Sequence, residues 1–175
     1  GSWSVELAGF ANLDGKKKKE IINRIKFYSD VCANTISNSF SGLNDTRVSW
    51  YAIKKLALVS PAGLFEQIED TDCVEIYDSM GIQVFRNFNF CEHVTYSIQE
   101  CLIYSWDQLY ERSENILGTM MSEAQKAFTQ TREPFISQIP VHTCIEIKTK
   151  NRRQYQVKFN VISPLFDISG NTAAF

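Results

Sequence analysis

The chain has 175 residues, 44% of them hydrophobic and 22% charged, with a formal net charge of −2 at pH 7, a balance that belongs to a folded globular chain and excludes long disorder beyond a polar leader. With so little excess charge there is no basic footprint for a phosphate backbone, so direct nucleic-acid binding is not expected. No apolar run approaches the ~18 residues that a membrane span needs, and five widely spaced cysteines without a CxxC pair read as reduced thiols in a cytoplasmic protein, with neither disulfide staples nor a metal centre.

Residues 1–15 form the leader, and Gly1-Ser2 reads as the scar of a cleaved tag. From Lys16 to Lys19 and Glu20 onward, Ile21, Ile25, Tyr28, Cys32 and Ile36 recur at spacings of three and four, which predicts a helix with one apolar stripe and a solvated lysine turn. Ile21, Ile25, Tyr28 and Cys32 are candidates for a seam in a homodimer; the competing use of the same stripe is packing within one chain. A loop is expected over 39–44. Asp45 or Thr46 then caps a second helix through Trp50, Ile53, Leu56 and Leu58. Ser60-Pro61 opens a short helix through Leu64, Phe65 and Ile68. The helical extension is therefore placed at 16–60 and a second unit at 61–175.

Past Asp70, the stretch 73–77 alternates, Asp78 to Gly81 supplies a turn, and Ile82 to Phe90 resumes a strand. A broken helical block follows, with a longer helix over about 113–131 carrying Ile116, Met120, Met121, Ala124 and Phe128 on one side. Ile145 and Ile147 alternate with Glu146 and Lys148, and after Asn151-Arg152-Arg153 the residues Tyr155, Val157, Phe159 and Val161 alternate with Gln154, Gln156, Lys158 and Asn160. Two long antiparallel strands are predicted, with Ile145 and Ile147 facing inward. Pro164 ends the second, 167–170 turns, and 171–175 begins a third strand, so the sequence reads as a piece excised from a longer protein. The fold class is α+β, with helices covering one sheet face.

Tyr77-Asp78 with Gly81 at the first turn, Asn87 closing the second strand, Tyr96-Ser97 followed by Glu100, the pair Trp106 and Leu109, and Ser163-Pro164-Leu165-Phe166-Asp167 with Gly170 together resemble the PAS family. Departures are Thr95 and Ile103, where the family often has glycine, and Asn151-Arg152 in the main hairpin, where asparagine would tolerate a left-handed turn. The resemblance covers about two thirds of the chain. It implies a PAS-like antiparallel five-stranded sheet covered on one face by helices and preceded by the helical extension. It also implies a sensory or regulatory module without catalysis of its own, which binds a small ligand or partner and relays a conformational change to an attached effector such as a kinase, cyclase or transcription regulator.

In such an arrangement the ligand would lie among Ile76, Asn87, Met120, Met121, Phe128, Ile145, Ile147, Tyr155, Val157 and Phe159. The same apolar residues could equally fill a core, which leaves a second reading: a dimerisation or docking domain with no ligand that uses the outer face at Gln154, Gln156, Lys158 and Asn160. Haem is disfavoured because the long helix has no histidine. Flavin photochemistry is disfavoured because no reactive-cysteine motif surrounds Cys101. Cys91-x-His93 with His142-x-Cys144 is too tightly spaced for a usual zinc site. No nucleophile with a base and an orienting group is recognisable, so no catalytic residue is assigned.

Overall fold

The computed structural model describes residues 10–38 and 46–175; residues 1–9 and 39–45, with most of the expected leader and the loop expected at 39–44, lie outside the described residues. Helix α1 spans Gly15–Ser37, opened by Asp14, whose carboxylate accepts from the Lys17 amide at 2.8 Å. Glu20 bridges Lys17 and Arg24 at one turn's spacing, at 3.3 and 2.8 Å. Helix α2 spans Thr46–Lys55 and buries Val48, Ala52 and Ile53. It stops there because Ala57 turns into the left-handed region at φ 57°. The helix expected after Pro61 is a single 3-10 turn, Phe65–Gln67. No helix among the described residues is long and apolar enough to cross a membrane.

Strands β1 (Glu75–Tyr77) and β2 (Gln83–Arg86) pair antiparallel, with Ile76 opposite Phe85 and Glu75 opposite Arg86. Their turn is held by the Asp78 carboxylate, which accepts from the amides of Met80 and Ile82, both at 2.9 Å. Gly81 supplies the left-handed residue at φ 73°. The aromatic run expected to continue β2 is instead helix α3, Phe88–His93. Helices α4 (Ile98–Ile103) and α5 (Trp106–Leu109) follow. Strand β3 (Tyr110–Glu111) leads into the long helix α6, Glu114–Thr129.

The remaining strands are short: β4 (Phe135–Ile136), β5 (His142–Glu146), β6 (Gln154–Val157), β7 (Val161–Ile162), β8 (Leu165–Phe166) and β9 (Thr172–Ala174). The expected long strand over 154–161 is thus broken after Val157, and beyond Ile162 the chain passes through Pro164, which has no N–H for a ladder. One continuous five-stranded sheet is not formed. The strands assemble as β1–β2, β3–β5–β6, β4–β7 and β8–β9. Tyr77 and Phe175 exchange backbone bonds of 2.8 and 2.9 Å, and Val59 and Phe166 do the same, so β2, β1, β9, β8 and Val59 follow one another as a ribbon. The β5–β6 connection places Arg152, not Asn151, in the left-handed conformation, at φ 43°; Arg152 there pairs with Glu111.

Both N-terminal helices share a core with these strands. Val31, Val48, Ala52, Ile53, Leu64, Ile76, Phe85, Leu165 and Ala174 form one buried cluster, each larger side chain contributing on the order of 1.5–3 kcal/mol. The boundary expected at Pro61 is therefore not a boundary of packing. The seam expected on α1 needs the same correction: Ile21 is 2% exposed, and Tyr28 stacks on Phe85 at 5.7 Å within the chain's own core. Cys32 is half-buried, and of the four only Ile25, 46% exposed, faces outward beside Ile22.

Candidate functional site

The two faces of the β1–β2 hairpin differ in chemistry. Ile76 and Phe85 lie on the side of α1 and α2. Glu75 and Arg86, paired across the ladder, fall on the other side by strand alternation. There Tyr77 donates its hydroxyl to Glu75 at 3.2 Å, and Gln83 Nε2 donates to the Tyr77 oxygen at 3.2 Å. The Arg86 guanidinium, 7% exposed, lies over the Phe90 ring at 4.7 Å and donates through Nη2 to the Cys101 carbonyl at a long 3.5 Å.

The β3–β5–β6 sheet turns its own polar side toward this region. Opposite one another stand Tyr110 and Glu146, and next to them Cys144 and Tyr155, then His142 and Val157. Cys144 is 2% exposed and Glu146 fully buried, while Ile147 is 42% exposed. The inward face of β5 is therefore the opposite of the one expected from the isoleucines. Tyr96, Cys101, Leu109, Tyr110 and Cys144 form the second buried cluster, against which Phe90 and Tyr155 pack. Phe90 meets Tyr110 edge-on at 6.4 Å, which carries the surroundings of Arg86 to those of β3 and β5.

Glu146 is buried because it is saturated with donors. Its carboxylate accepts from the Thr95 amide at 2.9 Å, from the Thr95 hydroxyl, from the Thr149 hydroxyl at 3.2 Å and from the Tyr155 hydroxyl. Burial alone would raise its pKa, but these bonds outweigh it and hold the carboxyl below the usual carboxylate range. His142 is equally occupied: Nε2 accepts from Arg112 Nε at 3.2 Å and Nδ1 meets the Pro140 carbonyl at 2.9 Å. Among the described residues no three His, Cys, Asp or Glu side chains gather as metal ligands. Burial pushes the Cys101 thiol up to about 11, Arg86 offsetting part of the rise, so this sulfur is protonated at neutral pH.

Three polar atoms here have no hydrogen-bond partner among the described residues: Gln83 Oε1, Arg86 Nη1 and the Tyr110 hydroxyl. Buried polar groups are nearly always paired. Gln83 and Arg86 line a cavity of about 320 Å³ closed by Lys17 and Arg24 of α1, the hairpin turn and the stretch from Cys101 to Asp107. A larger, more open groove of about 570 Å³ lies elsewhere, between Pro61, Arg132, Pro134 and Phe166. Burial pushes the Tyr110 phenol far above its ordinary range, so it is present as a neutral O–H.

The residues expected to surround a ligand do not converge. Tyr155 and Val157 stand at the second cluster, but Ile76 belongs to the core beneath α1 and α2. Asn87 is a clip: its Oδ1 accepts from the amides of Val74 and Phe90, and its Nδ2 donates to the Asp72 carbonyl at 2.7 Å. Met120 is half-buried on α6, Met121 is 66% exposed, and Phe128 packs edge-on against Phe175 at 5.7 Å. Phe159 stacks on His142 at 6.0 Å. Ile145 is half-buried on the opposite face of β5 from Cys144. None of the ten lines the cavity, whose polar residues had no part in the sequence expectation. The one signal for them is a charged residue, Arg86, directly after the apolar Val84-Phe85 and before Asn87.

No family model, curated protein or solved structure matches the chain.

Proposed function

We propose that this chain is a sensory or regulatory module of PAS-like design, which binds a small ligand beside Arg86 and relays its presence through α1 to an attached effector. The observation that carries the reading is the trio of buried, unpartnered polar atoms on Gln83, Arg86 and Tyr110, two of them at the wall of a cavity. A chain selected for stability alone would fill this space with apolar groups or pair each donor and acceptor. A ligand in the cavity supplies the partners that Gln83 and Arg86 lack.

The relay is short. The Tyr28 hydroxyl of α1 accepts from the Arg86 amide at 2.7 Å, and Lys17 and Arg24 of the same helix line the cavity. A ligand that draws Arg86 toward the cavity therefore bears directly on α1, and through its exposed Ile22 and Ile25 on whatever that helix meets, a second copy included. The ribbon order β2, β1, β9, β8 supports the PAS-like part of the reading, because it brings the last strand beside the first.

Native mass spectrometry of the purified protein tests this. The reading expects a defined bound mass that disappears in Arg86→Met. A clean apo mass in every preparation removes the sensor and leaves a docking domain that uses the exposed Gln154, Gln156, Lys158 and Asn160.

A further inference from the structure

We infer that the ligand of the Arg86 cavity is a small carboxylate that also carries a hydrogen-bond donor, a hydroxy acid or an amino acid; this rests on the ligand-sensing reading and names its ligand class. Arg86 is 7% exposed, its Nη1 is unpartnered, and it makes no ion pair with any described carboxylate. Glu75, the acid opposite it in the ladder, is instead taken by the Tyr77 hydroxyl. A planar guanidinium offers two parallel N–H donors that match the two oxygens of a carboxylate. Although Glu75 helps to hold Arg86 charged from across the ladder, no carboxylate touches the guanidinium, which leaves its free donor open to an incoming anion.

The walls agree in charge. Lys17, Arg24 and Arg86 face the cavity against the single carboxylate of Asp107, and Glu20, which holds both Lys17 and Arg24, fixes the two rim cations on α1. Gln83 Oε1 is the complementary signal: its own Nε2 is spent on Tyr77, leaving an acceptor at the wall that calls for an O–H or N–H on the ligand. The volume of about 320 Å³ lies at the small end of ligand sites and suits a metabolite-sized acid.

Thermal shift of the full chain tests the assignment with L-malate, L-lactate and L-aspartate as probes, against neutral malamide, lactamide and inorganic phosphate. At least one acid is expected to raise Tm by roughly 5 °C when present at about a hundred times its Kd, with no shift from its amide or from phosphate. Arg86→Met abolishes that shift. Should the variant fold poorly, Arg24→Gln, at the rim, weakens the same probe by roughly threefold. An amide that shifts Tm as far as its acid, a shift that survives Arg86→Met, or no shift with any of the acids overturns the carboxylate assignment. A neutral bound mass in native spectrometry would overturn it while leaving the sensory reading intact; an apo mass together with inert acids removes both.

Discussion

The two sides of the β1–β2 hairpin are built on opposite principles, one fully buried and apolar, the other half-buried and polar around a buried Arg86. On the side of α1 and α2, Phe85 and Ile76 are almost fully enclosed by Val31, Val48, Ala52 and Ile53, and Phe85 also receives the rings of Phe27 and Tyr28 at 6.2 and 5.7 Å. On the other side stand Glu75, Tyr77, Gln83 and Arg86, facing a cluster that includes Tyr110 and Cys144. The first side is filled and apolar, so it supplies stability. The second side keeps polar groups away from water, some saturated and some left open. Burial by itself therefore does not identify core; the pairing of what is buried does.

The contrast is broken most severely on the apolar side. Phe85→Ala removes a fully buried ring and should lower unfolding stability by about 3–5 kcal/mol in urea titration. Next is the saturated polar group: Glu146→Gln exchanges a carboxylate with four donors for an amide that can accept at one atom only, a loss of about 2–3 kcal/mol at neutral pH. Its pH signature is separate. The folded carboxyl titrates below its unfolded value, so the contribution is complete above the unfolded pKa of ~4.3, declines below it, and is gone once pH has passed through the folded pKa. The wild-type protein should lose stability over that acid range, and Glu146→Gln should lose measurably less. A smaller effect is expected for Tyr28→Phe, which strips the acceptor from the Arg86 amide and costs about 1–2 kcal/mol. Smallest in energy but simple to read is thiol labelling at neutral pH: exposed Cys73, slowed because burial and neighbouring carboxylates push its thiol up to about 11, still labels in the native protein, whereas buried Cys101 and Cys144 react only on opening.

What the sequence disclosed follows the same division. The helices α1 and α6 are legible as helices from their periodicity, but their buried faces only in part: Ile21 and Ile116 are buried as expected, while Ile25 and Met121 are exposed and Val31, Glu123 and Ala127 are buried instead. The β1–β2 hairpin is legible from its alternation and turn residues, but the packing of Ile76 and Phe85 beneath α1 and α2 is not. The inward face of β5 is not legible, because the rule that apolar residues point in selects Ile145 and Ile147, while the structure buries Cys144 and Glu146. That inversion depends on Thr95, Thr149 and Tyr155 arriving around one carboxylate, and Thr95 lies 51 residues away in the chain. The candidate site is hidden likewise. Arg86 and Gln83 acquire their meaning only when the segment from Cys101 to Asp107 and the first turns of α1 close a cavity over them, a juxtaposition that no local pattern encodes.

The central claim is that the polar side of the hairpin is retained for a ligand and not for stability. Urea denaturation of the double variant Arg86→Met, Tyr110→Phe, read beside Phe85→Ala, tests it most directly, because both substitutions leave an extended apolar side chain in place while removing the unpartnered polar atoms, at the cost of one long Arg86–Cys101 bond. The account predicts stability within about 1 kcal/mol of the wild-type protein, or above it. A loss of more than about 3 kcal/mol, comparable to Phe85→Ala, would contradict the account by showing that these groups hold the fold together.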